Sequence, residues 1–178
     1  MGAEEDSRYE EESKPEGETA LRTIDARLFQ EPIGQVIRRS GPVTVAPSTT
    51  VGEAARLMRQ HRIGCVLVEE AGRLVGIFTE RDILIRLVGT GYDPAAVRVD
   101  GVMTRDPETL TPDDPLGFAL RMMSVGGFRH VPLTSREGKP VGILSVKDVV
   151  DFLVEHFPEQ VLNLPPEPGV HATRPDGA

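Results

Sequence analysis

The sequence predicts a mixed α/β (α+β) fold: two tandem β-α-β-β-α units packed against each other with pseudo-twofold symmetry. Three observations carry this reading. First, four stretches recur in the same order at an offset of 65 or 66 residues. Val36-Ile37 returns as Val102-Met103, Ala46-Pro47 as Thr111-Pro112, and Val51 to Met58 as Leu116 to Met123. Val75-Gly76-Ile77-Phe78-Thr79 returns as Val141-Gly142-Ile143-Leu144-Ser145. Second, short apolar runs alternate in each copy with segments of 3/4 apolar spacing, as strands alternate with amphipathic helices. Third, there are only two copies, and neither has enough apolar surface to stand well alone. A face-to-face pair therefore suits them better than an open array.

In chain order, a short strand (Val43 to Val45; Thr109 to Thr111) precedes a proline and a polar helix start. The helix that follows places Val51, Ala54, Ala55 and Met58 on one face, matched by Leu116, Ala119, Leu120 and Met123. Two apolar strands come next, Cys65 to Val68 and Leu74 to Phe78, joined at Glu70-Ala71-Gly72-Arg73. Their counterparts are Val131 to Leu133 and Val141 to Leu144, around Ser135-Arg136-Glu137-Gly138. A last helix carries Ile83, Leu84, Leu87 and Val88, echoed by Val149, Val150, Leu153 and Val154. The implied organisation is an acidic tail over 1–27, a first unit over 28–88, a linker over 89–98, a second unit over 99–157 and a Pro-rich tail over 158–178. Both tails are too poor in large apolar residues to offset their ordering entropy and are expected to be disordered or loosely attached. Leu28, Phe29, Ile33, Val36 and Ile37 read as a docking segment.

Composition narrows the function. A net charge of −8, with no basic stripe, argues against a nucleic-acid partner. A locally positive cleft for a phosphorylated small molecule is compatible with that charge. The single cysteine, Cys65, lies in an apolar run and reads as a buried structural thiol. None of the four histidines makes ligand spacing with another donor, so no metal site is expected. The first residues carry no signal-peptide pattern, Asp6 breaks the myristoylation pattern, and no apolar run is long enough to span a membrane. The expectation is a soluble cytoplasmic protein.

The chemistry-bearing residues lie where each third strand meets its helix: Gly76-Ile77-Phe78-Thr79-Glu80-Arg81-Asp82 and Gly142-Ile143-Leu144-Ser145-Val146-Lys147-Asp148. A helix N-terminus with a hydroxyl attracts phosphate, and an acid one turn on can accept both hydroxyls of a ribose. The same spacing also fits a capping box, in which Thr79 with Asp82, and Ser145 with Asp148, satisfy the free N–H groups of the helix start. A hydroxyl can do both.

The repeat length, the element order and the Gly-apolar-x-Thr/Ser-x-x-Asp ending resemble the CBS motif pair, or Bateman module, from Pro32 to Phe157. The resemblance implies a cleft that binds AMP, ADP, ATP or S-adenosylmethionine as a regulatory ligand, with no obligatory cofactor. Asp82 and Asp148 would hold ribose hydroxyls, Thr79 and Ser145 would approach phosphate, and Ile77 and Ile143 would flank the ligand. It further implies that the first strand of one motif completes the other's cleft, placing Thr109 and Thr111 near Asp82, and Thr44 and Ala46 near Asp148. Arg129 and His130 resemble a basic pair that meets phosphate, whereas the corresponding Ile63-Gly64-Cys65 offers no cation, although Arg62 is adjacent. The cleft combining Asp82 with Arg129 and His130 is therefore expected to be the better site.

Three functions compete. The leading one is a nucleotide-responsive regulator or energy sensor, homodimeric and acting on a separate target protein or alone. The second is a ligand-free scaffold whose acids only cap helices. The third, an enzyme, finds no nucleophile–base pair, phosphate loop or metal cluster in the sequence.

Overall fold

The computed structural model of the chain describes residues 27–38 and 41–158. The two tails expected at 1–27 and 158–178 thus lie, save residues 27 and 158, outside the described residues. The first repeat contains β1 (Thr44–Val45), α2 (Val51–His61), β2 (Cys65–Glu70), β3 (Arg73–Thr79) and α3 (Glu80–Arg86), preceded by a one-turn helix, α1 (Ile33–Val36). The second opens with a 3-10 turn (Val99–Gly101) and β4 (Thr104–Arg105). It continues with α4 (Leu116–Gly126), β5 (His130–Thr134), β6 (Pro140–Ser145) and α5 (Val146–His156).

Local chemistry explains these boundaries. Thr50 starts α2 with a complete capping box to Glu53, and Val51, Ala54 and Met58 turn inward at the expected spacing. Ala71 and Gly72, at φ 50° and 78°, form a two-residue turn of left-handed backbone between β2 and β3. That geometry matches the twist of an antiparallel hairpin. β1 pairs in parallel with β2, and β3 lies antiparallel to β2 and β4, giving the sheet order β1-β2-β3-β4. β5 and β6 form a separate antiparallel pair.

Two differences from the sequence reading have physical causes. The strand expected over Thr109 to Thr111 shrinks to a single bridge from Leu110 to Leu133. In the first repeat the Leu67 amide donates to the Val43 carbonyl at 3.0 Å, but the position matching Leu67 is Pro132, which has no N–H to donate. The second difference is β4, which the sequence reading missed. It belongs to the second repeat yet extends the sheet of the first by pairing with Gly76 and Ile77.

That crossing is one half of a reciprocal exchange of arms. Residues 28–37 of the first repeat pack into the core of the second, where Ile33 and Val36 join Leu116, Ala119, Val131, Leu133, Leu144 and Phe152. Val99 and Met103 of the second repeat complete the first core, beside Val51, Ala54, Val66, Val68 and Phe78. The linker and the first repeat's arm also cap helices. The N–H groups of Val51 and Gly52, at the start of α2, donate to the carbonyls of Val97 and Pro94 at 2.9 and 2.8 Å. Those of Leu116 and Gly117, at the start of α4, donate to Glu31 and Phe29 at 2.9 and 3.0 Å. Four donors that no helix can satisfy internally are thus met by the linker at α2 and by the first repeat's arm at α4. Both second positions are glycine because a Cβ would sit 3.1 Å from the Pro94 carbonyl oxygen or 3.2 Å from that of Phe29.

Between the two sheets, Cys65, Leu67 and Ile77 form an apolar seam joined by Leu74 and Ile143. The Leu74 amide crosses it to donate to the Gly138 carbonyl at 3.0 Å. Gly76 and Gly142 make room for the two arms where they pack on the cores. A Cβ on Gly76 would overlap the Met103 sulfur, and one on Gly142 would crowd the Ile37 and Leu133 methyls.

The arm exchange has a direct test. Ile33→Ala removes a fully buried side chain from the core of the other repeat, so urea unfolding should show a loss of about 2–5 kcal/mol. A loosely attached tail would lose less than about 0.5 kcal/mol.

Candidate ligand-binding cleft

Where β3 enters α3, the chain needs acceptors for the free N–H groups of the helix start, and Thr79 and Asp82 supply them reciprocally. Asp82 Oδ2 accepts from the Thr79 amide at 2.9 Å and its hydroxyl at 2.7 Å, while the Asp82 amide donates to Thr79 Oγ1 at 3.3 Å. Asp82 is only 8% exposed, and its second oxygen, Oδ1, faces Arg86 Nε at 3.3 Å. Ser145 and Asp148 repeat the box at α5, with Asp148 Oδ2 accepting from the Ser145 amide at 2.8 Å and hydroxyl at 2.5 Å. Both acids are helix caps, and each cap occupies a single carboxylate oxygen.

Next to the first cap, the two repeats enclose a cavity of about 500 Å³. The first repeat contributes Gly64, Ile77, Thr79 to Asp82, Ile85 and Arg86, and the second contributes Thr104 to Glu108, Phe128 to His130 and Pro132. Of the residues expected from sequence, Ile77, Thr79, Asp82, Arg129 and His130 therefore meet in one cleft, across the boundary between the repeats.

Others do not. Thr109 and Thr111 are absent from the lining around Asp82. Thr111 is held in a turn by Asp114 Oδ2, which accepts from its amide at 2.6 Å and its hydroxyl at 2.9 Å, and the Thr109 hydroxyl accepts from that of Thr134 at 3.4 Å. The five residues before Thr109 close the cleft instead, because β4 carries them along the edge of β3. Ile143 packs into the seam between the sheets, and Thr44 and Ala46, expected beside Asp148 and not Asp82, lie exposed around β1.

Sequence reasoning also missed Arg86, although its spacing from Asp82 is that of an i,i+4 pair on one helix face. Arg86 Nη1 donates to the carbonyls of Val102 and Met103 at 2.6 and 2.7 Å, and Nη2 to Thr104 Oγ1 at 3.3 Å. Arg81 reaches over the rim to donate to the Gly127 carbonyl at 2.7 Å. The lining is charged but balanced: Glu80, Asp82, Asp106 and Glu108 oppose Arg81, Arg86, Arg105 and Arg129.

The His130 ring lies against Gly64, where a Cβ would be 3.1 Å from Cε1 and 3.2 Å from Nε2. Burial, reinforced by the Arg129 charge, lowers its pKa below the ordinary histidine value, against the opposing pull of Glu80 and Asp148. A neutral imidazole at pH 7 follows. Burial also pushes the Cys65 thiol up to about 12, consistent with a structural thiol and an unreactive one. Among the described residues no cluster of three or more His, Cys, Asp or Glu is arranged to hold a metal ion, and no helix is long and apolar enough to cross a membrane.

The family model for the CBS domain matches residues 33–89 and 99–155, and the chain belongs to this family. It is 35% identical over 137 residues to the CBS domain-containing protein CBSCBSPB1 of Arabidopsis thaliana, covering 76% of this chain and 25% of the plant protein. A protein of Acidianus ambivalens described as an uncharacterized 17.7 kDa protein is 37% identical over 112 residues, which are 62% of this chain and 66% of its own length. The chain thus spans about a quarter of the first relative and just under two thirds of the second. Among solved structures, a CBS domain protein of Pyrobaculum aerophilum, PAE2072, in complex with AMP, superposes with a TM-score of 0.63 at 27% identity, covering 70% of this chain and 97% of that one. The CBS domain pair of protein MJ0100, in complex with 5′-methylthioadenosine and S-adenosyl-L-methionine, gives a TM-score of 0.62 at 25% identity, with coverages of 69% and 99%.

The position of His130 sets a pH dependence. The unfolded chain takes up the imidazole proton near pH 6.5, whereas the folded chain takes it up only at lower pH. Between those values the unfolded state holds more protons, so stability falls as the solution is acidified below about pH 6.5. Urea unfolding at several pH values should show a shallower fall for His130→Gln, by at most about 1.4 kcal/mol per pH unit. Equal slopes would place the ring in a solvent-like environment.

Proposed function

We propose that the chain is a non-catalytic regulatory module that binds an adenosyl ligand (AMP, ADP, ATP or S-adenosylmethionine) in the cleft beside Asp82. The observation that carries this reading is the convergence of Thr79 and Asp82 from one repeat with Arg129 and His130 from the other around one cavity of about 500 Å³. The cap uses only Asp82 Oδ2, so Oδ1, which faces Arg86, is the oxygen that would accept from ribose hydroxyls, and the apolar wall of Ile77, Ile85, Phe128 and Pro132 suits an adenine ring. Arg129 and His130, on the same cavity wall, would meet the phosphate of such a ligand. The complexes of PAE2072 with AMP and of MJ0100 with adenosyl compounds support the ligand class.

A ligand touching both repeats favours one relative arrangement of them, and a coupling of about 1–3 kcal/mol is enough for a regulatory signal. The exposed apolar residues Leu84, Val88, Val146 and Val150 on and beside α3 and α5 support a soluble cytoplasmic homodimer joined through these outer helices. A second reading, a ligand-free interaction scaffold, draws support from the two capping boxes, which are complete without any ligand.

Thermal unfolding with AMP, ADP, ATP, S-adenosylmethionine, NAD and GMP separates the two. An adenosyl ligand at about 100 times its Kd should add about 2.7 kcal/mol and raise Tm by several degrees. Asp82→Asn should abolish that rise and Asp148→Asn preserve it. A flat response at millimolar concentrations would support the scaffold.

A further inference from the structure

Arg86 ties the candidate ligand acid to the arm of the second repeat. Its Nε lies 3.3 Å from Asp82 Oδ1, the one carboxylate oxygen that the helix cap leaves over. Its other nitrogens hold the carbonyls of Val102 and Met103 and the hydroxyl of Thr104. Those three residues lead from the turn buried in the first core into β4, and Thr104 pairs with Ile77. One guanidinium therefore bridges the floor of the cleft and the segment that closes it. Among the described residues the second repeat shows no such bridge, and the residue matching Arg86 is Phe152, buried in the second core. The two capped acids are alike, but among the described residues Asp82 alone is joined through a side chain to an arm.

We propose that Arg86 is a positioning residue that couples occupancy of the Asp82 cleft to the docking of residues 102–106. The inference rests on the adenosyl reading. Ribose hydroxyls donating to Asp82 Oδ1 compete with Arg86 Nε for one oxygen, so ligand binding withdraws an anchor from the guanidinium. Its hold on the Val102 and Met103 carbonyls weakens, and the arm loosens along β3. The ligand thereby trades a contact within the first repeat for mobility at the crossing from the second.

Hydrogen exchange of the full chain, with and without AMP as the probe, tests this. The amides to follow are those of Met103, which donates to Val99 at 2.8 Å, and Asp106, which donates to Val75 at 3.2 Å. In the wild type, saturating AMP should speed exchange over 102–106 by about 5-fold or more. Arg86→Met should exchange fast there with or without AMP, while AMP still raises its Tm. Arg86→Lys, which keeps the charge but cannot span the carboxylate and two carbonyls, should behave likewise and serves if the methionine variant does not fold. AMP binding to the wild type without a change over 102–106, or an equal change in the Arg86 variants, would overturn the coupling alone. Failure of AMP and every other adenosyl compound to stabilise the wild type would overturn the adenosyl reading, and the coupling with it.

Discussion

Neither repeat can finish its own core. The apolar faces of α2 and α4 each need a side chain from the arm of the other copy, Val99 in one case and Ile33 in the other. The linker and the first repeat's arm supply the carbonyls that accept the first N–H groups of those helices. Burial and capping therefore act at the same two places, and each makes the two halves interdependent. The cleft is a consequence. Once the second arm lies along β3, residues 104–108 face the start of α3, and the space between becomes a cavity with walls from both repeats.

Much of this was legible in the sequence because two copies printed it twice. The element order followed from the alternation of apolar runs with 3/4-spaced faces, and the capping boxes from a hydroxyl three residues before an acid. Other features depend on a single residue acting at a distance. Pro132 deletes one ladder hydrogen bond and so shortens a strand that Thr109, Leu110 and Thr111 otherwise suit. β4 has only two residues, Thr104 and Arg105, too few for periodicity to register, and its partner lies in the other repeat. Thr109 and Thr111 do not line the cavity for that reason: residues 104–108, on and after the crossing strand, do.

The matching of the two repeats also hides an asymmetry. Thr79–Asp82 and Ser145–Asp148 have nearly the same hydrogen bonds, so the caps alone do not rank the clefts. What differs is the surroundings. Arg129 and His130 stand where the first repeat has Gly64 and Cys65, and Arg86 stands where the second has Phe152. Both substitutions enrich the Asp82 side in cations and donors, and the small Gly64 admits the His130 ring. Each repeat thus lends polar side chains to the Asp82 cleft at positions where the other repeat carries a small or apolar residue.

The central claim is that a ligand site spans the two repeats at Asp82, and a crystal structure of the full chain with AMP tests it most directly. The account predicts ribose hydroxyls on Asp82 Oδ1, the phosphate toward Arg129 and His130, and the adenine against Ile77 and Pro132. AMP bound at Asp148 with the Asp82 cleft empty, or touching one repeat alone, would contradict it.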